Sequence, residues 1–146
     1  MERYAIFFPQ FDRNKINDET WGAFFNDWIL VGYANALNLW KQRRAPKKGF
    51  YNLANPIDIK KIFDEAEEYK LDGFGLYHYY FDKGPILDNV EQFVMSNKYN
   101  YNLKYFLIYA NELWSKRWIG SNETIINSPK ITEEFVNKHV SYIVNI

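Results

Sequence analysis

The chain has no cysteine, which excludes disulfides, thiolate metal sites and cysteine nucleophiles. It has no excess of charge of either sign, with 18 basic and 18 acidic residues, so no general electrostatic pull toward nucleic acid or an anionic membrane is expected. No apolar run reaches membrane-spanning length, and the one at the N-terminus, residues 4–9, is too short for a signal peptide. These absences predict a soluble, cytoplasmic protein with no nucleic-acid partner and no membrane span. Only two histidines occur, His78 and His139, and His139 falls in a predicted helix far from the strand ends. Metal binding is therefore not expected, and no cofactor is called for.

Aromatic residues, by contrast, make up 20% of the 146 residues, more than a core of that size needs, and many fall between the predicted elements. Surplus aromatics of that kind point to a binding cleft. The chain is the length of one domain. Its apolar runs at residues 4–8, 74–79 and 105–110 read as buried strands, the first closed by Pro9, which cannot donate to a ladder. Asn55 and Pro56 begin a helix over residues 56–70, with Asp58 in its first turn and Ile59, Ile62, Phe63 and Ala66 at helical spacing. Gly84-Pro85 breaks the chain. Leu87, Val90, Phe93 and Val94 mark a second helix ending near Ser96, and Thr132 caps a third, with Glu133 and Glu134 in its first turn.

Residues 9–55 form a long aromatic-rich insertion, in which the stretch from Trp21 to Trp40 is expected to hold one or two short helices. The basic run from Lys41 to Lys48 reads as a solvated loop. Strands near residues 74 and 105 lie about 30 residues apart, the length of one strand-helix-strand unit, so parallel strands with right-handed crossovers follow. Doubly wound sheets and (β/α) barrels both begin this way. No glycine-rich phosphate loop follows the first strand, which favours an α/β fold of the barrel kind. Eight units need roughly 250 residues. The expectation is an N-terminal portion, about three βα units, of a (β/α)8 TIM-like barrel, forming a single domain over residues 1–146; a compact three-stranded α/β domain is the alternative.

The segment from Tyr105 to Trp118 carries the chemistry. An apolar strand stops at Asn111 and Glu112 and runs into Trp114, Arg117 and Trp118. Aromatic faces stack on the C–H faces of a pyranose, and amide, carboxylate and guanidinium groups bind its hydroxyls in fixed geometry. Gly73 to Phe81 repeats the design, with His78, Tyr79 and Tyr80 at the strand end. In a barrel the C-terminal strand ends share one face, so Gln10, His78, Tyr79, Asn111 and Glu112 should converge. Glu112 is read as an acid/base group or hydroxyl acceptor, or else as the ion-pair partner of Arg117. His78 either binds a hydroxyl or moves a proton, or is a satisfied core residue. One of Trp114 and Trp118 is assigned to stacking and the other to packing. Trp21, Asp18, Asp27 and Trp28 belong to the long loop, where the last three could wall the cleft, with a solvated loop as the other reading of Asp18.

The motifs together resemble the glycosyltransferase WbsX family of bacterial surface-polysaccharide gene clusters. They are Phe8-Pro9-Gln10-Phe11, Asn17-Asp18, Trp21-Gly22, Asp27-Trp28, Gly49-Phe50-Tyr51-Asn52-Leu53, Tyr77-His78-Tyr79, and the string from Ala110 to Trp118. The family usually has His where this chain has Asp12, and Glu where it has Asp27. The resemblance extends to the endo-α-mannosidase-like glycoside hydrolases, which are (β/α) barrels. It implies a carbohydrate-active protein whose partner is a glycan or sugar-donor substrate, in lipopolysaccharide or O-antigen biosynthesis or processing. Endo-acting hydrolysis is one alternative, and a non-catalytic sugar-binding or truncated remnant another. It also implies a missing C-terminal barrel half, and the open sheet edges of an unfinished barrel predict self-association unless further strands complete it.

Overall fold

The computed structural model describes residues 1–36, 46–96 and 98–145. Three parallel strands form its frame. β1 (Tyr4–Phe7) and β4 (Lys104–Tyr109) flank the central β2 (Gly73–Phe81). Tyr4 pairs with Gly73 and Gly73 with Lys104, so the three strands start level. The expected strands are thus present and parallel, and the fold is α/β.

The helices between them begin where local chemistry says they should. Asn55 accepts from the backbone N–H of Ile57 at 3.0 Å and Pro56 opens α3 (Pro56–Glu68). Thr132 accepts from Phe135 N–H at 3.1 Å ahead of α5 (Glu133–Val144). The shorter α4 (Asn89–Met95) lies between β2 and β4. Two further helices sit in the long insertion. α1 (Lys15–Trp21) is capped by Asn14, which accepts from Asn17 N–H at 2.9 Å, and α2 (Asp27–Ala36) follows. The first of these lies ahead of the stretch the sequence marked for helix. Trp40 and residues 41–45 of the basic run lie outside the described residues, while Lys48 is tied to Glu65 at 3.0 Å.

Gly84-Pro85 does not simply break the chain. β3 (Gly84–Ile86) turns back on β2 as an antiparallel hairpin, with Tyr79 opposite Ile86 and Phe81 opposite Gly84. A left-handed glycine, φ +110° at Gly84, makes the tight reversal. After β4 a second small antiparallel pair, β5 (Trp114–Ser115) and β6 (Thr124–Ile126), encloses a 3-10 turn over Arg117–Ile119.

Side chains alternate across β2 and divide the sheet into two unlike faces. Phe74 and Leu76 pack with Leu53, Ile59, Phe63 and Ala66 around α3 and with Val90 and Phe93 of α4 to form the core. On the opposite face Gly73 and Gly75 leave room across which Tyr4 and Phe106 meet edge to face at 5.7 Å. That face is apolar and open, with Ile6 70% exposed. Among the described residues no helix is long and apolar enough to cross a membrane.

Candidate functional site

The C-terminal ends of the strands and the segments that follow them surround a cleft of about 280 Å³. Phe8 and Gln10 reach it from the end of β1, Asn17 and Trp21 from α1, and Asp27 from the first turn of α2. Tyr79 enters from β2 and Leu87 from just beyond β3. Glu112, Leu113, Trp114, Ser115, Arg117, Trp118 and Ile125 complete the lining. Parallel alignment of β1, β2 and β4 brings these distant segments together, because all three strands end at the same edge of the sheet.

The two halves of the wall meet through rings. Trp118 stacks on Trp21 at 5.4 Å and lies 6.0 Å from Phe25, leaving it 56% exposed. Trp114 instead packs edge-on against Tyr79 at 5.3 Å and Phe81 at 6.0 Å, within a small satellite core. Trp114 is on a strand and Trp118 in a 3-10 turn, so their spacing of four is not a helical repeat.

Glu112 is at the cleft, where the Tyr79 hydroxyl donates to its Oε1 at a long 3.4 Å. Among the described residues no ion pair joins it to Arg117. Burial and the facing Glu112 carboxylate push the Tyr79 hydroxyl well above the usual phenol range, so it remains a donor. Asp27 is the second carboxylate of the cleft. Burial raises its pKa to about 6, opposed only in part by its own backbone N–H.

Several residues singled out in the sequence lie elsewhere, for reasons of strand and loop geometry. His78 and Tyr80 alternate with Tyr79 along β2 and so point to the helix side. His78 is 0% exposed; its Nδ1 is 2.8 Å from Glu91 Oε1 and its Nε2 is 2.8 Å from His139 Nε2. Of its two readings, the core one describes where it sits. The expectation that His139 lies far from the strand ends is corrected by the same contact: α5 packs over the end of β2. Tyr80 stacks on His139 at 4.3 Å. The Tyr142 hydroxyl donates to Glu91 Oε2 at 3.0 Å and completes the buried cluster. Among the described residues no group of three acidic or histidine side chains is arranged to hold a metal.

Asp18 accepts from Arg13 Nε at 2.7 Å and from Phe25 N–H at 3.1 Å, which ties down the turn after α1. The Arg13 guanidinium holds its carboxyl below the usual range. Trp28 stacks on Phe11 at 4.0 Å and donates to the Tyr51 carbonyl at 2.7 Å, so it anchors the insertion against the segment before α3. Asn111 is exposed on the turn and does not line the cleft. Asn17, Leu87, Leu113, Ser115 and Ile125 also line it without having been singled out as site residues. Asn17, Leu113 and Ser115 lie inside the motifs named above and Leu87 in the expected second helix, while Ile125 carried no signal.

The Glycosyltransferase WbsX family matches residues 3–146 of the chain. Two proteins called "Uncharacterized protein WxcX", from Xanthomonas campestris pv. campestris strains B100 and ATCC 33913, are each 29% identical to it over 127 residues. The match covers 84% of this chain and 18% of either relative, so the chain spans less than a fifth of their length. No solved structure matches.

Proposed function

Because the chain belongs to the Glycosyltransferase WbsX family, we propose that the cleft binds a glycan or sugar donor during bacterial surface-polysaccharide biosynthesis or processing, in the cytoplasm. The observation that carries this reading is the stack of exposed Trp118 on half-buried Trp21, on the same cleft as Glu112. A ring pair offers a pyranose its apolar face, while Gln10, Asn17, Arg117 and Glu112 supply planar groups for its hydroxyls. Glu112 is the group that accepts a sugar hydroxyl or handles a proton, with the Tyr79 hydroxyl steadying it.

In the same reading the sheet is the N-terminal portion of a (β/α)8 TIM-like barrel. Three level parallel strands, helices on one face, an open apolar opposite face and a cleft at the C-terminal strand ends all support it. The open face is then barrel interior, covered by the remaining strands.

Glycan binding tests the proposal. Surface-polysaccharide oligosaccharides should bind the protein in calorimetry, and Trp118→Ala should weaken them about tenfold, which corresponds to the ~1.4 kcal/mol expected of a stacked ring. Trp118 is largely exposed, so circular dichroism and the unfolding midpoint should stay close to those of the wild type. Equal binding by wild type and variant removes the stacking role.

A further inference from the structure

We propose that the sugar taken by this cleft carries an acidic group, the carboxylate of a uronic acid or a phosphate ester, and that Arg117 selects it. The proposal rests on the reading of the cleft as a sugar site. Arg117 is the one basic side chain among the described residues that line the cleft. Glu112 and Asp27 line it too, yet among the described residues Arg117 has no ion-pair partner. The other described arginines are committed within the fold. Arg13 pairs with Asp18 at 2.6 Å and lies over the Phe24 ring, and Arg3 donates to the Lys70 carbonyl.

The turn that carries Arg117 is held together by its neighbours. Lys116 Nζ is 2.6 Å from Glu123 Oε1, and the Lys116 N–H donates to the Glu123 carbonyl at 2.9 Å. The N–H groups of Ile119 and Ser121 donate to the Lys116 carbonyl at 3.1 and 3.2 Å, and that of Gly120 to the Arg117 carbonyl at 2.9 Å. The backbone of Arg117 is thus fixed, directly before the exposed ring of Trp118, while its guanidinium remains available on the cleft lining. A guanidinium is a planar fork of donors with a permanent charge and no acceptor. Sugar hydroxyls both donate and accept, and the amides of Gln10 and Asn17 in the same cleft serve them on both counts. What the guanidinium adds is a two-point, charge-assisted bond to a carboxylate or phosphate, about twice as strong as a neutral hydrogen bond.

The remaining charged or titratable groups of the lining are Asp27, Glu112 and Tyr79. Two carboxylates repel an anion, so Arg117 decides the sign of the preference. With it, the acidic group is held by direct contact, while the repulsion acts through water and salt that screen it. Without it, the same cleft disfavours the charge.

Calorimetry on the protein with matched ligands tests this. One pair is an oligosaccharide of a uronic-acid-containing bacterial polysaccharide and the same oligosaccharide with its carboxylates reduced to alcohols; the other is a hexose 1-phosphate and the free hexose. In one of the two pairs the wild type should bind the acidic member at least about tenfold tighter, and which pair shows it tells carboxylate from phosphate. Arg117→Gln should weaken that acidic ligand about 10- to 100-fold and the neutral one less than about threefold, so that the preference vanishes or reverses. Arg117→Lys keeps the charge without the fork and should restore only part of it. Trp118→Ala should weaken the acidic and neutral members alike. Arg117 is exposed, so circular dichroism and the unfolding midpoint of its variants should match those of the wild type. Equal binding of acidic and neutral members by the wild type, or equal weakening of both by Arg117→Gln, overturns the selection of an acid and leaves the sugar site standing. Absence of binding by every ligand overturns the reading of the cleft and this proposal with it.

Discussion

His78→Ala is expected to destabilise the fold by about 3 to 5 kcal/mol, since it truncates a fully buried side chain and takes away a buried hydrogen-bond partner from both Glu91 and His139. The substitution removes the His78 partner of Oε1 of Glu91, which is 4% exposed, and the His78 ring nitrogen bonded to His139 Nε2. It also opens a cavity at the junction of β2, α4 and α5. Urea unfolding followed by tryptophan fluorescence measures the loss. A change under about 1 kcal/mol would show that the cluster contributes little to holding α5 in place.

The same cluster sets a pH dependence. Burial, and then the neighbouring His78, hold the His139 pKa below the usual imidazole value. The groups around this pair are Glu91 and Asp88 from α4 and its cap, Tyr142 from α5, Tyr80 from β2 and Tyr109 from β4. For a base whose folded pKa is depressed, the unfolded chain binds more protons as pH falls. Stability is therefore complete above the unfolded value near 6.5 and declines as pH drops through it toward the folded pKa, by at most about 1.4 kcal/mol per pH unit. The urea midpoint should fall between about pH 7.5 and about pH 5.5, and His139→Gln should flatten that slope.

Gly73→Ala is expected to be as damaging, by a different route. A Cβ at this position would lie 1.9 Å from the carbonyl oxygen of Lys104, a backbone atom that no rotamer change can move aside. Gly73 and Lys104 are the first partners of the β2–β4 ladder, and Lys104 N–H is bonded to the Asp72 carbonyl at 2.9 Å. The ladder must part where it starts, so the loss should reach or exceed the upper end of the ~1–3 kcal/mol typical of overpacking. Gly32 in α2 supplies the contrast, since a Cβ there meets nothing within 4 Å. Gly32→Ala should be neutral or stabilising by up to about 1 kcal/mol, through the lower chain entropy of alanine. Thermal unfolding of the two variants side by side separates a steric cost from a generic effect of replacing glycine.

What the sequence determined by itself is what short-range chemistry controls. Asn55 with Pro56, and Thr132 with Glu133 and Glu134, mark helix starts because caps and first-turn charges act within four residues. The three apolar runs gave away the strands, although only β2 is buried along its length while β1 and β4 are partly exposed, and their spacing gave the parallel order. The exposure of Trp118 and the packing of Trp114 could be divided between two roles but not assigned, since the division depends on a turn whose geometry is set by the β5–β6 pair.

Only the tertiary structure decided which side of β2 each side chain serves. Strand alternation places Tyr79 toward the cleft and His78 toward the helices, but which face is which depends on where α4 and α5 pack, and nothing local reports that. The pairing of His78 with His139, the stack of Trp21 on Trp118 and the lining of one cleft by Asp27 and Glu112 all draw on segments remote in the chain. Such contacts exist only once β1, β2 and β4 align in register, because that alignment, rather than any residue's own preference, carries their loops to a common edge.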